Sequence, residues 1–120
     1  MVKTFFAAAE AQGIEVKPNA ACFAIAGPVG HNTSQLTNLS WFLRAEFLKG
    51  ALDISSVELI NDVVAVGYGV LGLKPEDIYE LQAGEPSDTS PMAIVGAGTG
   101  LGQGFLLPTE GEYQVFPSEG

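Results

Sequence analysis

The spacing of apolar residues along the chain predicts alternating helices and strands. Apolar residues recur at helical spacing near the start, which predicts a helix over residues 2–12 that ends near Gly13. Residues 20–26 form a continuous apolar run, a pattern typical of a buried strand. The polar stretch at 31–38 is expected to be a loop or a short strand.

The middle of the chain predicts a second helix, a strand and a third helix. Ser40 can cap a helix over residues 41–49, and Gly50 follows directly as a C-terminal stop signal. Residues 57–60 have the composition of a short strand. The apolar stretch at 63–73 is expected to be a buried helix.

Strands dominate the rest of the chain. The Lys74-Pro75 pair breaks the preceding helix. Predicted strands follow at residues 78–81, 92–95, 105–107 and 112–116, with a polar loop over 82–91 and a turn around Gly111. Because helix and strand alternate before Lys74 and strands prevail after it, we expect an α/β chain with a lobe boundary near this pair.

Composition and charge narrow the class of protein. The chain has 120 residues, 47% of them apolar, which is enough for a folded core in one domain or in parts of two. Its 14 acidic and 5 basic side chains give a net charge of −9, so phosphate backbones and anionic lipids are disfavoured as partners. No apolar run approaches the ~18 residues of a membrane span. We therefore predict neither nucleic-acid nor membrane binding.

The scarcity of cysteine and histidine limits the chemistry further. Cys22 is the sole cysteine, which rules out a disulfide within the chain and suits a reducing, cytoplasmic compartment. Its apolar surroundings predict a small core residue. His31 is the sole histidine, follows a loop glycine, and is expected to be exposed rather than catalytic. We therefore predict no metal site and no histidine-activated nucleophile.

Five glycines lie within residues 96–104, directly after a predicted strand. Glycine lacks a Cβ, so the backbone amides of such a segment can approach an anion closely, and Thr99 adds a hydroxyl donor. A tight hairpin of twisted strands is the alternative. Because hairpins rarely need so many glycines, we favour phosphate binding.

A second glycine pattern, Gly67-Tyr-Gly69-Val-Leu-Gly72, matches the dinucleotide fingerprint G-x-G-x-x-G. That fingerprint requires its first glycine at the turn from strand to helix, whereas Gly67 lies inside a predicted helix. Close packing of the helix against a neighbouring element is the better explanation for these glycines.

Asn61 and Asp62 lie between a predicted strand and a predicted helix. Either residue can cap the helix, and taken alone this is the better explanation. Because ligands of α/β folds bind beyond the C-terminal ends of strands, the pair can also grip adjacent hydroxyls, with the carboxylate accepting a proton. Glu119 is a second candidate for hydroxyl binding, although a solvated acidic residue is the simpler interpretation near a chain end.

Five segments in this order make the chain resemble a known family. They are Ala24-Ile-Ala-Gly27-Pro28, Leu36-Thr37-Asn38-Leu39-Ser40-Trp41, Glu58-Leu-Ile-Asn61-Asp62, Gly96-Ala-Gly98-Thr99-Gly100-Leu-Gly102 and Phe116-Pro-Ser-Glu119-Gly120. Together they resemble the bacterial glucokinase family of the hexokinase, actin and Hsp70 superfamily. The resemblance covers nearly all of residues 20–120, and the glycine segment combined with the Asn-Asp pair is its most specific part.

The resemblance implies a partial actin-like ATPase fold of the ribonuclease H-like type. Residues 1–73 would be an incomplete small lobe, and residues 74–120 would be the start of the large lobe. The resemblance also implies ATP-dependent phosphorylation of the glucose 6-hydroxyl, with Mg²⁺ carried on the nucleotide. It allows a homodimeric parent protein.

The matched motifs also imply roles for individual residues. Asp62 would match the family's general base. The positions that match its sugar ligands are Asn61, Asp62, Glu119 and, on weaker grounds, Asn38. The positions that match its second phosphate loop are Gly96, Gly98, Thr99 and Gly100.

The chain also departs from the family pattern. It contains no Asp-x-Gly-Gly-Thr strand, the family's first phosphate loop, and it stops at Gly120, before the last Gly and the His of the sugar motif. We therefore expect an excerpt of a longer glucokinase that is weak or inactive alone. Two alternatives stay open, namely a non-enzymatic sugar- or nucleotide-binding regulator of the same fold and a kinase for another hexose.

Overall fold

The computed structural model describes residues 1–36, 39–85, 87, 89–98 and 100–118. They divide into two units, Met1–Ile60 and Asn61–Gly120, and each unit contains both helix and strand, as expected for an α/β chain. The boundary predicted near Lys74 concerns the lobes of a longer protein and stays a prediction. Among the described residues, no helix combines the length and the apolar content needed to cross a membrane.

The first unit begins with a helix and contains two two-stranded sheets. Helix α1, Val2–Glu10, confirms the first predicted helix. Strand β1, Ala20–Ile25, pairs with β4, Ser56–Asn61, and both lie where apolar runs predicted strands. Gly13, just after α1, adopts φ 79°, which suits a residue that ends a helix.

The second predicted helix is displaced along the chain. Residues expected to form its first turn instead form strand β3, Phe42–Arg44, which pairs antiparallel with β2, Thr33–Gln35. Helix α2 therefore spans Ala45–Leu52 and includes Gly50 in its interior. Ser40 lies outside the N-terminus of α2 and does not cap it. Strand pairing has overridden the local capping signal.

Aliphatic side chains form the core of the first unit. Its buried members are Ile25, Ala45, Ile54, Val57 and Leu59. Phe6 from α1, Leu43 from β3 and Leu48 from α2 pack against them. Both helices and both strand pairs of this unit therefore share one apolar core.

Strand β1 is covered on one face only, contrary to the prediction of a buried strand. Its exposure alternates from residue to residue, as a two-stranded sheet packed on one side requires. Cys22 lies on the exposed side, so its assignment to the core is wrong. Partial burial of the thiol, followed by the nearby Glu58 carboxylate, raises the pKa of Cys22.

A tight turn at His31 and Asn32 precedes β2. Both residues adopt positive φ, 50° and 57°, and His31 is exposed, as expected. Asn32 Nδ2 donates to the Val57 carbonyl at 3.0 Å, and Asn32 Oδ1 accepts from the Leu59 amide at 2.7 Å. The Asn32 side chain thus binds the edge of β4 as the backbone of a neighbouring strand would.

In the second unit, a helix packs on a three-stranded antiparallel sheet. Helix α3, Asp62–Val70, is followed by a 3-10 helix at Pro75–Asp77. The sheet has the order β5, Met92–Ala97, β6, Leu101–Thr109, and β7, Glu112–Pro117. The predicted turn between the last two strands is confirmed, with positive φ at both of its central residues, 52° and 88°.

Two predictions for the second unit are wrong. Residues 78–81 belong to no described strand, and their apolar side chains Ile78, Tyr79 and Leu81 are exposed. A composition that suits a strand is insufficient where no neighbouring strand pairs with it. Helix α3 also ends at Val70, earlier than predicted, and Val66 on its outer side is 57% exposed rather than buried.

Gly67 is the point of closest approach between α3 and the sheet. A Cβ placed on this buried residue would lie 2.3 Å from Val115 Cγ1 and 3.3 Å from Ile94 Cδ1. Val115 is itself buried, as is Leu106 in the central strand. Close helix packing therefore explains Gly67, which lies inside α3 and not at the turn from strand to helix that the dinucleotide fingerprint requires, as predicted.

Candidate functional site

Asn61 links the end of β4 to the start of α3. It is buried, and its Oδ1 accepts hydrogen bonds from the amides of Val63 at 2.9 Å and Val64 at 3.4 Å. These are two of the amides that lack a partner within the helix. The capping interpretation is therefore confirmed for Asn61, and the cap gives the first turn of α3 a defined orientation.

Asp62 is the first residue of α3 and is exposed. Its Oδ1 accepts a hydrogen bond from the Val63 amide at 3.0 Å. A carboxylate in the first turn is stabilised by the helix dipole and by the unpaired amides there. Asp62 thus combines a fixed position with access from solvent, which a group that accepts a proton from a ligand requires.

The glycine-rich segment forms a β-hairpin. Gly96 pairs with Gly102 and Ala97 with Leu101, so both strands extend further into the segment than predicted. The Gly98 amide donates to the Gly100 carbonyl at 2.9 Å across the turn. The hairpin, which is the alternative interpretation of this segment, is therefore present, and phosphate binding by its turn stays a prediction.

The two glycines that flank the turn, Gly98 and Gly100, leave space beside the backbone. Among the described residues, and leaving aside the residues next to it in the chain, a Cβ on Gly100 would meet no atom within 4 Å. A Cβ on Gly98 would meet only the Gly100 carbonyl oxygen among them, at 3.8 Å. An anion can therefore approach this backbone closely. In the present conformation, however, the Gly98 amide is already engaged within the turn.

The structure brings the start of α3 against this hairpin. A Cβ on Gly102 would lie 3.2 Å from Val63 Cγ2, and a Cβ on Gly104 would lie 2.9 Å from Val63 Cγ1. The Val63 side chain thus occupies a notch that exists because both strand residues are glycine. Sequence reasoning missed this contact, although glycines two apart in a strand share a face and can indicate close approach of another element.

Three of the predicted site residues lie outside the described residues, namely Asn38, Thr99 and Glu119. Their proposed roles therefore stay predictions. Across the described part of the chain, no three side chains of His, Cys, Asp or Glu lie close enough together to hold a metal ion.

Comparison with known proteins places this arrangement in a family. A family model described as Glucokinase matches residues 1–120. A glucokinase of Trichormus variabilis is 55% identical over 120 residues, which cover 100% of this chain and 34% of that protein. A glucokinase of Nostoc punctiforme is 57% identical over 103 residues, which cover 86% of this chain and 30% of that protein.

A solved structure agrees with these relatives. The crystal structure of a glucokinase from an Antarctic psychrotroph matches with a TM-score of 0.81 and 31% identity, covering 99% of this chain and 36% of that one. The chain therefore belongs to the glucokinase family. It spans about a third of the length of the curated relatives it matches.

Proposed function

We propose that the protein containing this segment transfers the γ-phosphoryl group of ATP to the 6-hydroxyl of glucose. The observation that carries the proposal is the contact of Val63 with Gly102 and Gly104, since it places the Asp62 carboxylate on an element packed against the glycine hairpin. Phosphoryl transfer depends mainly on positioning and on charge stabilisation, which such an arrangement can provide. Relatives at 55% and 57% identity carry the name glucokinase, which supports the same chemistry.

Asp62 is the proposed general base. Its Oδ1 is held by the Val63 amide, which orients the carboxylate, and Oδ2 is the oxygen proposed to accept the proton of the attacking hydroxyl. Asn61, Glu119 and Asn38 are the proposed ligands of the other sugar hydroxyls. A neutral polyol offers no charge to a binding site, so several converging donors and acceptors are needed.

The turn of the glycine hairpin is the proposed phosphate site. With a net charge of −9 this segment offers ATP no long-range attraction, so its part in phosphate binding is proposed to rest on local backbone amides. The residues proposed for this role are Gly96, Gly98, Thr99 and Gly100. Mg²⁺ is proposed to arrive as part of the Mg-ATP substrate.

The activity is proposed for a full-length protein, because this segment spans about a third of its relatives' length. The 120-residue chain alone is expected to turn over weakly or not at all. We further propose a cytoplasmic, homodimeric enzyme whose partners are glucose and ATP rather than nucleic acid or membranes.

A chimeric enzyme tests the proposal. The segment replaces the 120 aligned residues of the Trichormus variabilis relative, and glucose 6-phosphate formation is measured with Mg-ATP. In this chimera, Asp62→Asn should lower kcat at least 100-fold, since a general base contributes about 10²–10⁴-fold. The matched control is Asp53→Asn, which makes the same change at an exposed helix end whose left-handed backbone suits asparagine.

The outcomes separate the proposal from its alternatives. An Asp62→Asn chimera that keeps kcat within threefold of its parent would show that Asp62 is not the base. Calorimetric binding of glucose without any turnover would favour a sugar-binding regulator. Faster turnover of another hexose than of glucose would favour a different sugar kinase.

A further inference from the structure

Val63 connects three groups of the second unit. Its amide donates to Asn61 Oδ1 at 2.9 Å and to Asp62 Oδ1 at 3.0 Å. Its two side-chain methyl groups face the positions that a Cβ of Gly102 or Gly104 would occupy, at 3.2 and 2.9 Å. One residue therefore contacts the proposed base and its neighbour through its backbone and the glycine strand through its side chain.

We propose that Val63 is a positioning residue. Its side chain packs on Gly102 and Gly104, and this contact sets the position of Asp62 relative to the turn proposed to bind phosphate. The inference rests on the proposed function. The physical reason is that Val63 has a β-branched side chain with restricted χ1, so its methyl groups transmit the position of the strand to the helix backbone. A misplacement of about 1 Å in a reacting group can cost about 100-fold in rate.

Gly102 offers the cleaner of the two perturbations. A Cβ on Gly104 would also press on the Phe116 carbonyl at 3.0 Å, which is backbone and cannot move aside freely. Among the described residues, a Cβ on Gly102 would have one tight neighbour, Val63 Cγ2, and would meet the Gly96 carbonyl oxygen at an ordinary contact distance of 3.7 Å. Gly102→Ala should therefore push Val63, and the first turn of α3 with it, by a few tenths of an ångström.

The test uses the chimera described above and measures kcat and both KM values well below the melting temperature. Val63→Ala should lower kcat about 10-fold and leave KM for glucose and for ATP within about twofold. Val63→Ala with Gly102→Ala should recover kcat to within about threefold of the parent, because the added methyl group fills the gap from the strand side. The matched control is Val66→Ala on the exposed side of the same helix, which should change none of these values.

A purely structural role predicts a different result, because it would lower the melting temperature without lowering kcat. The proposal is overturned if Val63→Ala keeps kcat within twofold of the parent, or if adding Gly102→Ala to it lowers kcat further. Deuterium exchange provides a readout that is independent of turnover. Val63→Ala should speed exchange in peptides covering residues 61–70 and 96–104, whereas Val66→Ala should not.

Failure of the proposed function can be told apart from failure of this inference. If the chimera forms no glucose 6-phosphate while the intact relative does, the proposed function fails for this segment. In that case the deuterium-exchange measurement by itself tests the role of Val63. Faster exchange in both peptides supports the coupling through Val63, and faster exchange in residues 61–70 only overturns it.

Discussion

Replacing Gly67 by alanine tests how helix α3 packs on its sheet. The residue is buried, and its new Cβ would lie 2.3 Å from Val115 Cγ1. Gly69 lies two residues further along the same helix, and its Cβ position has no atom of the described residues within 4 Å, the helix backbone and the adjoining residues aside. Gly67→Ala and Gly69→Ala therefore form a matched pair, because both add one methyl group to one helix.

The size of the effect follows from these distances. Val115 Cγ1 must retreat by about 1 Å to reach the 3.4 Å at which ordinary contacts begin. Overpacking of this kind costs about 1–3 kcal/mol, while alanine gains about 1 kcal/mol over glycine in a helix interior. Gly67→Ala should therefore lower the free energy of unfolding by about 0–2 kcal/mol, and Gly69→Ala should raise it by up to about 1 kcal/mol. The helix propensity is common to both, so their difference of about 1–3 kcal/mol reports packing.

Urea denaturation of the 120-residue chain, followed by circular dichroism, measures this difference. Thermal denaturation should agree, at about 4 °C per kcal/mol for a chain of this size. Val115→Ala provides a second check, because its cost should be at least 1 kcal/mol smaller in the Gly67→Ala background than in the parent. Equal stability of the two glycine variants would refute the close contact between α3 and β7.

Two further results are expected for the first unit. Asn32→Asp should lower the free energy of unfolding by about 1 kcal/mol, since its carboxylate would face the Val57 carbonyl without a proton to donate. Urea denaturation measures this change, and Asn19→Asp, the same substitution at another exposed asparagine, should be near neutral. At pH 8 the thiol of Cys22 should react with a disulfide reagent more slowly in the folded chain than in urea, because its raised pKa lowers the thiolate fraction. This difference in rate should disappear as the pH rises through that pKa. Glu58→Gln should reduce the difference in reaction rate between the folded and the unfolded chain. An equal rate in both states at pH 8 would contradict the raised pKa.

Elements with strong local signals could be predicted from the sequence. The helical spacing of apolar residues is sufficient to predict α1. The turn at Gly111 can be predicted because glycine tolerates positive φ. Elements that depend on a distant partner could not be predicted in the same way. Ser40 suggested a helix start, yet the next residues pair with β2, and the apolar segment 78–81 has no described strand beside it.

The residues of the candidate site also differ in how far the sequence could predict them. Asn61, Asp62 and the glycine segment could be found from the sequence, because carboxylates, amides and glycines at an element boundary suggest chemistry. Val63 could not, since valine in an apolar helix has no distinguishing feature. Its importance appears only when the strand glycines that receive it are known in three dimensions.

The order of strands in the second unit bears on how the chain folds. Strands β5, β6 and β7 are neighbours in both sequence and space, so pairing them closes only short loops at little entropic cost. In the first unit, β1 pairs with β4, and two strands and a helix lie between them in the chain. Contacts between such distant parts of a chain form more slowly. We expect the glycine hairpin to gain amide protection during refolding before β4 does. The turn proposed to hold phosphate would then be in place before the strand that ends in Asn61.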